Sequence, residues 1–293
     1  MKSRYLTNLL LVIAIVGLYY LINHEAEVST VRNQTLSELK LSDVSTIVIG
    51  RQHRDSIVII KDGSHWQIIK PIKAKANDVR VNLILNLLST QIYSQFRPKN
   101  DIDLQQFGLN PVNLSLQLNQ QRFEFGAIES LSSHRYVRYD ETIYLIHDTL
   151  APLLNSSASS FIDNHLFSKQ QQLTKLELPL FDNDNQLNVE YLTLKLSDGH
   201  WTSNKEAFSN DLLTTIVDAW QNAYAMQVFT LSREEINDLT GTKISVSYKD
   251  NSSSELIVQL SSDSLSLFNI QKQLKYQFPI SIKHKLFAHT EPL

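Results

Sequence analysis

The chain has 293 residues, 42% hydrophobic and 19% charged, which is enough apolar material for about two domains with cores of their own. It has no cysteine, which excludes a disulfide framework, thiolate metal sites and a cysteine nucleophile. Seven glycines leave no room for a glycine-rich phosphate loop or a nucleophile elbow, and a formal charge of -3 gives no basic field, so neither a cofactor nor a nucleic-acid partner is expected.

Residues 5–23, YLTNLLLVIAIVGLYYLIN, carry no charge. As a helix they span about 28 Å, close to the hydrocarbon thickness of a bilayer, and so predict a membrane anchor over residues 1–23. Lys2 and Arg4 precede the run while Glu25 and Glu27 follow it, so the positive-inside rule keeps the N-terminus cytoplasmic and exports the rest. A cleaved signal peptide has an apolar region of only about 7–15 residues, and His24-Glu25-Ala26 makes a poor cleavage site. The exported part holds 25 basic and 30 acidic residues, a formal charge of -5, so no polybasic lipid-binding surface is expected.

A polar stalk is predicted over 24–38. Strands follow at 44–49 and 56–61, the second entering the turn Asp62-Gly63, and Trp66 opens a returning strand that Pro71 ends. Asn77 is placed to cap a helix of about four turns, with Val79, Leu83 and Leu87 beside Ile84 and Leu88 as its apolar face. Gly108 reads as a C-cap, and strands at 114–118, 122–125, 135–139 and 142–146 form a β-meander.

The second half repeats this order. It has a strand at 191–196, the turn Asp198-Gly199, then Trp201, and Asn210 ahead of a helix carrying Leu212, Leu213, Ile216, Val217 and Trp220. Gly241 opens a strand at 244–248, and further strands are predicted near 256–260, 265–269 and 275–278. Trp66 and Trp201 are 135 residues apart, while Asn77 and Asn210, like Gly108 and Gly241, are 133 apart. These offsets predict one unit repeated. The expected fold is therefore α+β: an N-terminal transmembrane helix, then two related lobes of antiparallel sheet plus helix over 39–168 and 169–293. Trp66 and Trp201 are expected at the centre of the two cores.

No pattern assigns a catalytic, cofactor-binding or metal-binding residue. The nine histidines include no pair at i, i+4. A superficial calcium-loop match at 182–185 has Leu187 and Thr193 where glycine and glutamate belong, and reads as a solvated turn. Asp101 and Asp103, better explained as helix-start residues, and His134 are merely groups available to a site. Alternation along 135–139 puts Arg135, Val137 and Tyr139 on one face and Tyr136 and Arg138 on the other, so Arg135, Tyr136 and Arg138 are a possible surface for an acidic partner. Trp66, Pro71, Gly108, Trp201 and Gly241 stand as structural landmarks.

Taken in order, several of these residues resemble a known family. They are Trp66, Ile68, Pro71 and Ala76; Phe107-Gly108-Leu109 with Pro111; Arg135-Tyr136-Val137-Arg138; Ile143-Tyr144-Leu145; and Phe161-Ile162-Asp163 with Leu166-Phe167. The pattern resembles the bacterial family called domain of unknown function 4340 over roughly residues 40 to 290. The first copy matches better, since the second keeps Trp201 and Gly241 but lacks the proline after the tryptophan and the Arg-Tyr-Val pattern. The resemblance implies a protein anchored in the bacterial cytoplasmic membrane with its ectodomain periplasmic or extracellular, whose relatives accompany auxiliary components of gliding-type ABC transporters. It brings no catalytic residue. The expected function is a non-enzymatic accessory or scaffold of an envelope or transport complex, partnered by other envelope proteins. The alternative is an envelope ligand-binding protein or hydrolase working in a cleft between the lobes, which titratable groups converging in one concave site would favour.

Overall fold

Period-two burial sets the strands. In β1 (Thr46–Arg51) Ile47 and Ile49 are fully buried while their neighbours are not, and β2 (Arg54–Asp62) buries Ile57 and Ile59 in the same way. The computed structural model describes residues 11–16, 35–98, 101–182 and 187–289. The first lobe continues with β3 (His65–Lys70), β4 (Ala74–Lys75), α1 (Asp78–Leu85), β5 (Ile92–Phe96), α2 (Asp101–Gln106), β6 (Leu114–Leu118), β7 (Gln121–Ile128), β8 (His134–Tyr139) and β9 (Thr142–His147). Its sheet runs β4-β3-β2-β1-β6-β7-β8-β9-β5.

After α3 (Ala151–Leu154) and a connecting strap over 161–167, the second lobe contains β10 (Leu173–Phe181), β11 (Leu187–Ser197), β12 (His200–Ser203) and α4 (Asn210–Gln221). It goes on with β13 (Gln227–Thr230), α5 (Arg233–Asn237), β14 (Thr242–Tyr248), β15 (Ser253–Leu260), β16 (Ser264–Asn269), β17 (Leu274–Pro279) and α6 (Lys283–Leu286). Its sheet runs β12-β11-β10-β14-β15-β16-β17-β13. The pairings in both sheets are antiparallel. Matching β1 to β10, β6 to β14 and β5 to β13 superimposes one strand order on the other, except that β4 has no counterpart in the second sheet. One hydrophobic core runs through both lobes.

The helices bear out part of the expected faces: on α4 Leu213, Ile216, Val217 and Trp220 are buried while Leu212 is exposed. Asn77 does cap α1, its side chain accepting from the Arg80 N–H at 3.2 Å, and Ile84, Leu87 and Leu88 are buried as expected, but Val79 is 69% and Leu83 49% exposed, with Val81 and Leu85 buried in their place. Apolar residues at 79, 81, 83, 84 and 85 offer two competing stripes, and the one against β3 is buried. It is also shorter than predicted, giving way after Leu85 to a 3-10 turn, Asn86–Ser89. In the second lobe Ser209, not Asn210, caps α4 by accepting from the Leu212 N–H.

The tryptophan expectation holds for one lobe only. Trp66 is buried on β3, which β4 covers on its outer flank. Trp201 is only partly buried, because β12 is an edge strand with nothing in the place of β4. The centre of the second lobe is Trp220 on α4, fully buried between the rings of Phe167 and Phe287, with its Nε1–H donating to the Leu286 carbonyl at 2.6 Å.

Gly108 ends α2 with φ +67, the Leu109 N–H donating to the Leu104 carbonyl and the Gly108 N–H to that of Gln105. This is a Schellman closure, and Leu104 and Leu109 pack together with Ile143 as its apolar contact. Gly241 lies elsewhere in its lobe's logic, at the entry to β14, where an added Cβ would fall 2.8 Å from the Val258 carbonyl. Pro71 follows β3 through a cis peptide.

Leu36, placed in the expected stalk, is instead buried in the first lobe's core. Residues 11–16 are helical, with Leu11, Val12, Ile13, Ile15 and Val16 all exposed. The rest of the 5–23 run lies outside the described residues. Among the described residues no helix is long and apolar enough to cross a membrane.

Candidate functional site

The strap joins the lobes through its backbone. On the first lobe the Asn77 N–H donates to the Phe161 carbonyl at 2.7 Å and the Asp163 N–H to that of Lys75 at 2.9 Å. On the second the Leu166 N–H donates to the Ala223 carbonyl, the Ala225 N–H to that of Asn164, and the Asn164 Nδ2 to that of Ala225 at 2.8 Å. A buried connecting segment needs partners for its peptide groups, and here it finds them on both sides.

Beside the strap opens a cleft of about 300 Å³. The first lobe supplies Gln67 and the β4 side chains with Lys73, the strap supplies Asp163, His165 and Phe167, the turn after β16 supplies Lys272, and β17 supplies Leu274 and Tyr276.

Asp163 organises the seam. Its Oδ2 lies 2.7 Å from the Lys75 Nζ, and its Oδ1 lies 2.7 Å from the His165 Nδ1 and accepts from the His165 backbone N–H at 3.2 Å. Burial pushes this carboxyl up, but the hydrogen bonds from Lys75 and His165 and the Lys75 charge outweigh it and hold its pKa below 3.8. Tyr276, buried close by, has its phenol pushed strongly up by burial and by the charge of Asp163. Lys272 keeps solvent access at the rim, yet the protein around its ammonium lowers its pKa by desolvation. The His165 ring meets Tyr224 edge-on at 4.8 Å.

Lys75 and His165 thus share the Asp163 carboxylate, one on each oxygen.

The residues singled out in the sequence lie elsewhere. Arg138 Nε donates to Glu124 at 2.7 Å, Arg135 pairs with Asp148 at 2.8 Å, and Tyr136 packs against Phe96 and Phe107. The strip expected as a partner surface makes its contacts within the first lobe. His134 stacks on Tyr93 at 3.8 Å, away from the cleft lining. Asp101 and Asp103 fall on α2, their side chains outside the described residues, and the 182–185 turn is likewise mostly outside them. Among the described residues no group of three or more His, Asp or Glu could hold a metal ion. Lys75, His165, Lys272 and Tyr276 carry no sequence signal; Asp163 does stand in the family-like run Phe161-Ile162-Asp163.

No curated protein and no solved structure matches this chain. A family model does, over residues 66–239, or 174 of the 293. The matched stretch holds Lys75, the strap and α4, and stops short of Lys272 and Tyr276. The chain therefore belongs to the family described as domain of unknown function, DUF4340.

Proposed function

We propose that this chain is a membrane-tethered, extracytoplasmic accessory protein of an envelope assembly that binds a ligand, without turning it over, in the cleft between its lobes. The carrying observation is the convergence of Lys75, Asp163, His165, Lys272 and Tyr276 on one concave site built from both lobes. The exposed apolar helical residues 11–16 and the uncharged 5–23 run support the tether. Native mass spectrometry of the full chain released from membranes in mild detergent tests the binding role. A small-molecule adduct is expected, and bare chain alone overturns it. A C-terminal alkaline phosphatase fusion tests orientation: activity is expected, and an inactive fusion overturns the exported ectodomain.

A second reading, a scaffold acting through protein contacts alone, is favoured by the single core and the strap, which make the two lobes one body. Affinity purification from membranes that recovers only this chain would count against it.

A further inference from the structure

We propose that the cleft takes a small organic anion, its charged head held by the lysines of the rim and its apolar body laid over Phe167 and Leu274. This rests on the binding role proposed above and names the class of ligand. Three lysines, Lys73, Lys75 and Lys272, face the cleft against one carboxylate, Asp163, on an exported body whose formal charge is -5. The carboxylate is already engaged by Lys75 and His165. Lys73 and Lys272 form no ion pair among the described residues, so the net field in the cleft is positive while the body around it is negative.

The floor is apolar. Ala74, Ile162, Leu166, Phe167 and Leu274 are each at most 8% exposed and line the cavity beneath the cations. A bare inorganic anion would leave that floor in contact with water, and an apolar cation would meet the lysines. A volume of about 300 Å³ is at the small end for ligand sites and suits a single-ring or short-chain acid. The Lys272 ammonium, partly stripped of water by its surroundings, regains a charge partner when an anion binds.

Calorimetric titration of the full chain in nanodiscs, corrected against empty nanodiscs, tests this with benzoate, benzylamine and inorganic phosphate. Benzoate is expected to bind once per chain, and benzylamine and phosphate at least tenfold more weakly. The double variant Lys73→Gln/Lys272→Gln, which changes two exposed side chains and is checked for folding by circular dichroism, is expected to lose at least tenfold in benzoate affinity. Equal or tighter binding of benzylamine overturns the anion and leaves the binding role standing. Phosphate binding as tight as benzoate overturns the apolar body. Benzoate affinity unchanged in the double variant, or no benzoate binding, overturns the proposal, while the native adduct judges the binding role separately.

Discussion

The Lys75 ammonium and the Asp163 carboxylate meet at 2.7 Å across the junction of β4 and the strap, and the Asp163 N–H returns to the Lys75 carbonyl at 2.9 Å. Two residues far apart in the chain are thus fastened twice, by charge and by backbone, at the edge of the cleft.

Asp163→Asn removes the ion pair and leaves Lys75 facing a neutral group. It is expected to lower stability by about 1–3 kcal/mol near neutral pH, read from urea unfolding. The sign with pH follows from the direction of the shift. The folded pKa lies below 3.8, so this stabilisation is present above that value and is lost as the pH falls through the folded pKa. The wild type should weaken in that acid window more steeply than Asp163→Asn; parallel curves would show that the pair contributes nothing.

Trp220 and Trp201 separate two accounts of the second lobe. Trp220→Ala opens a cavity among Phe167 and Phe287 and frees the Leu286 carbonyl, and is expected to cost on the order of 3–5 kcal/mol. Trp201→Ala on the edge strand is expected to cost less than half of that. Chemical denaturation midpoints check the ranking, and a larger loss at Trp201 would restore it as the centre.

Gly108→Ala places a Cβ 2.9 Å from the Ala127 nitrogen at a residue with φ +67. The left-handed backbone alone costs about 1–2 kcal/mol for an alanine, and the crowding adds to it. A melting temperature within about 2 °C of wild type would contradict the Schellman closure described for α2.

The strands and the repeat were legible because they are written locally. Alternating isoleucines and the two Asp-Gly turns need only neighbouring residues to be recognised. The face of α1 was legible only in part: Ile84, Leu87 and Leu88 are buried as expected, but Val79 and Leu83 compete with Val81 and Leu85, and the packing of β3 chooses between them. Trp201 misled because a hairpin reads the same whether or not another strand covers it, and the missing counterpart of β4 is a fact of the sheet. The cleft was least legible of all. Lys75, Asp163 and Tyr276 come from three separate segments, brought together by the shared core and by the strap's hydrogen bonds to both lobes.

Tyr276 should respond to alkali. Burial first, then the charges of Asp163 and Tyr248, favour its neutral phenol in the folded state. A raised folded pKa means stability that is full below the ordinary value of 10.0 and is lost as the pH rises above it. Tyr276→Phe is expected to keep its melting temperature farther into alkali than the wild type, and the reverse order would contradict the assignment.

The most direct test follows the His165 imidazole by NMR in the full chain in nanodiscs while benzoate is added, with the resonance assigned by Asp163-neighbouring substitution His165→Gln. His165 lines the cleft and is held by Asp163, so the account predicts a saturable shift of its ring signal among the nine histidines, absent in Lys73→Gln/Lys272→Gln. Saturable benzoate binding that leaves the His165 signal unmoved would place the ligand elsewhere and contradict the cleft as the working site.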